Sequence, residues 1–184
     1  MIGGAFAEIL AAAQQGNEAA FSRLWRDGNP ALLRYLRVIA PEYAEDVAAE
    51  TWLHVVRRLA TFRGDEQAWR AWLFTTARRR VIDQARRRSR RPEKALEEAL
   101  PSQFPISPDA AELAIQYIDT RSALALVAQL PPHQAEVILL RVVAGLDTET
   151  VARMVARTPG AVRVAAHRGL RRLAEILAEA GVTL

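Results

Sequence analysis

The segment "GLDTETVARMVARTPGAVRVAAHRGL", Gly145 to Leu170, contains two short helical patterns separated by a tight turn. Asp147 can cap a first helix over residues 148–156. Thr158 can cap a second helix, with Pro159 in the first turn, where a missing N–H costs nothing. Small or apolar residues stand where two such helices would cross: Ala152, Ala156 and Val162. The segment therefore predicts a helix-turn-helix.

The second helix of this motif has an apolar stripe and a cationic face. The stripe consists of Val162, Ala166, Leu170, Leu173 and Leu177. The opposite face carries Arg163, His167, Arg168 and Arg171. A helix divided in this way can bury one face and lay the other against DNA. A solvated cationic face is the alternative, and the preceding capped helix and turn favour DNA binding.

A second informative segment, "AWRAWLFTTARRRVIDQARRRSRR" (Ala68 to Arg91), changes from aromatic to strongly basic. Trp69, Leu73, Ala77 and Val81 are spaced by four residues and predict one buried helix face. Trp72 lies beside this face and is expected to pack in the core, whereas Trp69 is either a core residue or a platform for a base. The arginines are either a phosphate-binding face or a disordered, nonspecific nucleic-acid patch.

The rest of the N-terminal half also reads as helix. Apolar residues recur at helical spacing over residues 6–10, 21–25 and 32–39. The sequence "DGNP" (residues 27–30) predicts a break between the second and third of these helices, with Pro30 in a first helical turn. A further helix follows Pro41, with one face formed by Val47, Thr51, Val55 and Leu59.

Composition and charge divide the 184-residue chain into three parts. Net charge is +6 over residues 1–92, −5 over 93–120 and +3 over 121–184. Phosphate backbones attract the two basic parts, while the segment between them is acidic and contains several prolines. We therefore predict an all-α protein with two small helical domains, 1–91 and 115–184, joined by an acidic linker at 92–114.

Several functional classes find no support in the sequence. The chain has no cysteine, which excludes disulfides, thiolate zinc sites and a cysteine nucleophile. No apolar run approaches the ~20 residues of a membrane span, and no secretory signal is recognisable, so we expect a cytoplasmic protein without membrane insertion. No phosphate loop, dinucleotide fingerprint or metal motif occurs. We expect no catalytic residues, no metal and no cofactor.

Three segments together resemble the extracytoplasmic-function (ECF) type of bacterial RNA polymerase sigma factor, which consists of sigma regions 2 and 4. "AEDVAAETWLHVV" is similar to region 2.2 and "FRGDEQAWRAWLFTTARRRVIDQARRR" to regions 2.3 and 2.4. "LPPHQAEVILLRVVAGL" with "TPGAVRVAAHRGLRRL" is similar to region 4.2. The order and spacing of the segments carry the resemblance, which covers roughly residues 19–177.

The resemblance implies roles for individual residues. Asp46 and Glu50 would bind core RNA polymerase, at the clamp helices of its largest subunit. Region 2 would bind the −10 promoter element through Phe62, Arg63, Gly64, Asp65, Trp69, Arg78, Arg79, Arg80, Arg86 and Arg87. Region 4 would bind the −35 element through Arg157, Thr158, Gly160, Arg163, His167, Arg168 and Arg171.

The expected partners are thus core RNA polymerase (clamp helices and flap), promoter DNA and an anti-sigma factor. The chain departs from the family pattern at Thr76, Arg79 and Ala156, and it has Val164-Ala165 in place of a common serine-arginine pair. The base preference at the −35 element therefore does not follow from the resemblance. Two alternatives stay open: a stand-alone DNA-binding regulator, and a helical enzyme that acts on nucleic acid.

Overall fold

The computed structural model describes residues 2–89 and 121–179, and every regular element in these ranges is helical. The N-terminal unit contains α1 (Phe6–Gln14), α2 (Glu18–Ile39), α3 (Ala44–Arg58) and α4 (Glu66–Ser89). The C-terminal unit contains α5 (residues 121–127), α6 (Pro132–Ile138), a π-helical turn (Leu139–Val143), α7 (Thr148–Met154) and α8 (Pro159–Glu179). The predicted all-α class is confirmed. The predicted linker 92–114 lies outside the described residues, so the domain boundaries stay predictions.

Helix α2 is continuous, and the predicted break at residues 27–30 is wrong. Pro30 lies inside the helix, where a proline ordinarily costs about 3 kcal/mol. The buried face of α2 nevertheless runs on across the proline, because Leu24, Leu32 and Leu36 are all fully buried. Burial of three leucine side chains is worth several kcal/mol, at about 1.5–3 kcal/mol each. Tertiary packing therefore overrides the local turn signal.

Helices α3 and α4 pack against α2 around a close approach at Gly28. A Cβ atom at this position would lie 3.1 Å from Cδ2 of Leu73 and 3.3 Å from the Trp52 ring. The Trp52 indole also donates a hydrogen bond of 2.9 Å to the side chain of Asn29. The predicted buried faces are confirmed on α3 and the residue that follows it (Val47, Thr51, Val55, Leu59) and on α4 (Trp69, Leu73, Ala77, Val81).

Helices α7 and α8 form the predicted helix-turn-helix, with both predicted caps in place. The Asp147 carboxylate accepts the N–H of Thr150 at 2.7 Å, and this bond is the main cause of its lowered pKa. Thr158 Oγ1 accepts the N–H of Ala161 at 3.1 Å. At the crossing Val162 is buried, as predicted.

The apolar stripe predicted on α8 is wrong at Leu170, which is 53% exposed. Gly169 faces the core instead, and a Cβ there would lie 2.6 Å from Cδ1 of Ile138 on α6. Helices α6 and α8 approach each other so closely at this point that only a residue without a Cβ atom fits between them. Gly169 therefore makes the contact with α6, and Leu170 does not.

The two units are packed together in a shared core. The inner surface of the C-terminal unit, which includes Leu139 and Leu140, is fully buried and packs against α2. Helix α2 therefore contacts α1, α3 and α4 on the N-terminal side and α6 on the C-terminal side.

The turn between α7 and α8 contains a strained residue. Ala156 has φ +53°, a left-handed conformation that disfavours residues with a Cβ atom. Ala152, which was predicted to take part in the same helix crossing, is buried, whereas Ala156 is exposed and forms the turn.

We expect Ala156→Gly to raise the free energy of unfolding by about 1 kcal/mol, since glycine relieves the strain at positive φ. The matched control is Ala174→Gly at an exposed position inside α8, which should lower it by about 1 kcal/mol. Urea unfolding followed by circular dichroism measures both changes. A loss of stability in Ala156→Gly as large as in the control would contradict the conformation described for the turn.

Candidate nucleic-acid interface

The loop between α3 and α4 depends on a glycine and a helix cap. Gly64 has φ +147°, and a Cβ there would lie 2.7 Å from Cβ of Ala68. The side chain of Asp65 accepts the N–H of Ala68 at 2.8 Å and so caps α4. Asp65 was predicted to contact DNA, but one of its carboxylate oxygens serves as a cap in this structure. The loop is thereby fixed in the shape that presents Phe62.

An aromatic stack lies under this loop. The rings of Phe62 and Trp72 are stacked, with centroids 5.0 Å apart and planes 19° apart. Trp69 meets Phe62 edge-on at 5.5 Å, but it is only 1% exposed. The prediction that Trp69 contacts DNA is therefore contradicted by its burial. Trp72, expected in the core, is half-buried and lines the surface.

The stack borders a cavity of about 390 Å³. Its lining consists of His54, Arg58, Thr61, Phe62, Arg63 and Trp72. Burial, and then the guanidinium groups of Arg80 and Arg58, lower the pKa of His54, so this imidazole is neutral at pH 7. Arg63 donates hydrogen bonds to the carbonyls of Ala60 (2.9 Å) and Phe62 (2.7 Å). The cavity is therefore lined by aromatic rings and bordered by arginine side chains.

The sequence reasoning missed His54 and assigned Trp72 to the core. Both residues follow the helical periodicity of their own helices, so spacing alone gave no sign that they meet. The pair Trp69 and Trp72 gave only a weak signal: residues three apart on a helix differ in direction by about 60°, so Trp72 lies towards the edge of a stripe that is centred on Trp69.

The arginines of α4 have different environments. Arg78 pairs with Glu136 of α6 at 2.9 Å, and Arg80 pairs with Glu50 of α3 at 2.7 Å. Arg88 forms an ion pair with Glu42 and lies over the Tyr43 ring at 4.8 Å. Arg79, Arg86 and Arg87 are exposed. Arg86 to Arg88 belong to α4, not to a disordered patch, whereas Arg90 and Arg91 lie outside the described residues.

The exposed face of α3 carries the predicted polymerase contacts. Asp46 and Glu50 are both exposed, one helical turn apart. Glu50 already has a cationic partner within the chain, because it pairs with Arg80 of α4. The same surface includes Leu53 and Val56, which are 56% and 54% exposed. It is therefore an apolar surface with an acidic edge.

All the predicted −35 contacts are exposed on the helix-turn-helix: Arg157, Thr158, Gly160, Arg163, His167, Arg168 and Arg171. Thr158 additionally caps α8, and Arg171 pairs with Glu175 at 3.3 Å. A cleft of about 570 Å³ separates this helix from α4, and its lining includes Arg78, Glu136, Arg157, Val164 and Arg168. Arg78 of α4, a predicted −10 contact, therefore lies in the same cleft as part of the surface predicted to bind the −35 element.

Within residues 2–89 and 121–179, no cluster of three or more acidic or histidine side chains is arranged to hold a metal ion. The helices in the same ranges are too short or too polar to cross a membrane.

Comparison with known proteins identifies both units. Residues 21–91 match sigma-70 region 2, and residues 120–173 match sigma-70 region 4. The ECF RNA polymerase sigma factor ShbA of Streptomyces griseus is 34% identical over 173 residues, which cover 88% of this chain and 89% of ShbA. The ECF sigma factor BldN of Streptomyces coelicolor is 32% identical over 173 residues, which cover 92% of this chain and 65% of BldN.

A solved structure has a similar fold. The solved structure of CnrH in complex with the cytosolic domain of CnrY aligns with a TM-score of 0.62 at 21% identity, covering 95% of this chain and 98% of CnrH. The alignment with ShbA combines 34% identity with coverage of nearly the whole of both chains. The two matched regions occur in the order expected for sigma factors. The chain belongs to the ECF family of RNA polymerase sigma factors, whose members bind core RNA polymerase and direct promoter-specific initiation of transcription.

Proposed function

We propose that this sigma factor holds an unstacked base of the −10 element against the Phe62–Trp72 stack while the arginines of α4 hold the phosphates. The stack beside a cationic helix is the observation that carries the proposal. Proteins that bind single strands combine an aromatic surface for bases with a positive surface for the backbone, and stacking contributes about 1–3 kcal/mol per base. The neighbouring cavity of about 390 Å³ is large enough for one base.

In this proposal, the aromatic stack and the arginines of α4 promote separation of the DNA strands by binding energy alone, and no catalytic group is needed. A base leaves the duplex at a cost of a few kcal/mol, and a pocket that binds only the extruded base offsets that cost. The exposed Arg79, Arg86 and Arg87 supply phosphate contacts along the same helix. The polymerase performs the chemistry, and this chain contributes binding energy.

Core polymerase, in this proposal, binds the exposed face of α3. Leu53 and Val56 provide apolar area, and Asp46 with Glu50 provides an acidic edge. Apolar side chains supply affinity at such surfaces, while charges mainly set orientation and the rate of encounter. The clamp helices of the polymerase's largest subunit are the partner that the family relationship indicates.

Helix α8 would read the −35 element in the major groove. Its exposed Val164 and half-buried Ala165 replace the serine-arginine pair that is common in the family, and the apolar Val164 side chain can contact thymine methyl groups. Arg163 and Arg168 would then contact phosphates or guanine.

Regulation by an anti-sigma protein is a further part of the proposal. The solved complex of the sigma factor RpoE with the anti-sigma factor NepR from Bartonella quintana pairs a similar fold with such a partner. We place the action of this chain in the cytoplasm, where polymerase and chromosome are found.

Run-off transcription with purified core polymerase and a promoter library tests the function as a whole. Transcripts that depend on this chain are the expected result. Binding of the free chain to duplex DNA, without any transcript in the presence of polymerase, would instead indicate a stand-alone regulator.

We expect Trp72→Ala to reduce open-complex formation on a duplex promoter about tenfold, because the base loses its stacking surface. Permanganate reactivity of unpaired thymines measures the opening. On a promoter whose −10 region is already unpaired, no free energy is needed for strand separation. The difference in open-complex formation between Trp72→Ala and the wild-type chain should therefore be smaller on that template.

The matched control is Trp25→Ala, which removes another partly exposed tryptophan from the N-terminal unit, 42% exposed on α2. It should open the promoter normally. Thermal melts of both variants show whether the fold is kept, and an equal defect in the two variants would count against the base pocket.

For the polymerase surface, Leu53→Asp is expected to weaken binding to core polymerase about tenfold or more, since it places a charge in an apolar contact. Ala11→Asp, an exposed apolar-to-acidic change on α1, is the control and should bind normally. Fluorescence anisotropy of a labelled chain titrated with core enzyme gives both affinities. Unchanged affinity in Leu53→Asp would remove α3 from the interface.

A further inference from the structure

The side chain of Gln14, the last residue of α1, holds two backbone carbonyls of the α3–α4 loop (residues 59–65). Its Nε2 atom donates hydrogen bonds to the carbonyl oxygen of Leu59 at 2.9 Å and to that of Phe62 at 2.8 Å. A primary amide nitrogen carries two hydrogens, so each carbonyl receives one. The partners fix the orientation of the amide, because an oxygen in the same place would face two acceptors. Both donors of Gln14 are therefore engaged by the loop.

The two carbonyls lie at the start and at the end of the turn that leads to the aromatic stack. Leu59 begins a 3-10 turn after α3, and at Phe62 the backbone becomes extended, with φ −64° and ψ 139°. Carbonyls at the end of a helix have no partner within the helix. Arg63 also donates to the Phe62 carbonyl, but from within the loop itself, whereas Gln14 ties the carbonyl to another helix. The backbone from which the Phe62 ring projects is thereby held at two points.

The residues before α1 hold the other end of the loop. Glu66, the first residue of α4, accepts hydrogen bonds from the backbone N–H groups of Ile2 at 2.8 Å and Gly3 at 2.9 Å. Between the two attachments, the buried ring of Phe6 lies 6.3 Å from the ring of Trp69, measured between centroids. The N-terminal segment therefore contacts the loop region at both ends and packs against the tryptophan beneath it.

The N-terminal segment supports the cavity beside the stack without lining it. Of the residues that the structure describes, those lining this cavity belong to α3, the α3–α4 loop and α4. The Gln14 amide has given both of its hydrogens to the loop backbone, so it has none to offer a base. Any effect of Gln14 on a bound base is therefore indirect and acts through the position of the loop.

We propose that Gln14 is a positioning residue for base capture, and that α1 takes part in promoter opening as the support of the aromatic stack. The proposal rests on the function proposed above. The stacked rings belong to different elements, since Phe62 is in the loop and Trp72 is on α4. Their separation of 5.0 Å and interplanar angle of 19° require the loop to be fixed relative to α4. A loop that is already ordered loses less conformational freedom when a base binds.

Oligonucleotides that lack one base distinguish positioning from a general loss of structure. Single-stranded −10 oligonucleotides, taken from a promoter selected by run-off transcription, are titrated onto the complex of core polymerase with this chain. In the wild type, the missing base that weakens binding most identifies the captured position. Gln14→Met keeps the side-chain length but removes both donors, and it should weaken binding of the intact oligonucleotide about 3- to 10-fold. Binding of the oligonucleotide that lacks the captured base should stay the same as in the wild type.

Two lysine substitutions separate the effect of the donors from that of charge. Gln14→Lys restores a nitrogen that can donate to both carbonyls, and it should return the affinity to within about twofold of the wild type. Gln15→Lys places the same charge on the neighbouring, exposed residue. It should bind both oligonucleotides like the wild type, and so should Gln15→Met, the matched control for the loss of an amide.

Hydrogen exchange on the free chain measures the loop directly. Peptides that cover residues 59–65 should exchange about 3- to 10-fold faster in Gln14→Met than in the wild type, because the loop opens more often. In Gln14→Lys and Gln15→Met the exchange should be unchanged. Circular dichroism of each variant shows whether the helices are retained.

Equal weakening of intact and base-lacking oligonucleotides by Gln14→Met would overturn the proposal, and so would unchanged loop exchange in that variant. A gain of affinity in Gln15→Lys as large as the recovery in Gln14→Lys would also overturn it, because charge would then explain the recovery. A wild-type complex that is indifferent to every missing base would overturn the proposed base site itself. Loss of the Gln14 effect alone would leave that site in place and remove only its support by α1.

Discussion

The packing of α2 is the constraint on which the rest of the structure depends. Its buried face continues across Pro30, and Gly28 lets Trp52 and Leu73 come within contact distance of its backbone. Helices α1, α3 and α4 pack on this helix, and so does α6 of the other unit. If α2 broke at the proline, α3 and α4 would lose their common support, and the loop that presents Phe62 would have no fixed position.

Different sides of helix α4 have different roles in the structure. Its buried side, with Trp69 at its centre, belongs to the core. Trp72 lies at the edge of that side, is half-buried, and stacks on Phe62 at the surface. Its arginines are partly used within the protein, by Glu50 and Glu136. A count of cations therefore overstates the charge that is available to DNA. The ion pairs also tie the nucleic-acid surface to α3 and to the second unit.

Local signals allowed the helix-turn-helix to be predicted in detail, because caps such as Asp147 and Thr158 act within three residues. The buried faces of α3 and α4 followed from periodicity. The continuity of α2 did not, since the turn signal at residues 27–30 is local and the packing that overrides it is not. The same holds for the site: nothing in the sequence brings His54 to Trp72, or Glu136 to Arg78, because these pairs are joined only by the tertiary fold.

Helix α4 carries the aromatic edge and the arginines on one uninterrupted rod. At about 1.5 Å per residue, the fourteen positions from Trp72 to Arg86 correspond to roughly 21 Å, a fixed spacing between the proposed base site and the proposed phosphate contacts. In the proposed function, the helix would therefore hold the base and the phosphates of the separated strand at a fixed distance from each other. Inserting a single residue between Trp72 and Arg86 would turn every later arginine by about 100°, so the proposed recognition would depend on the length of this helix.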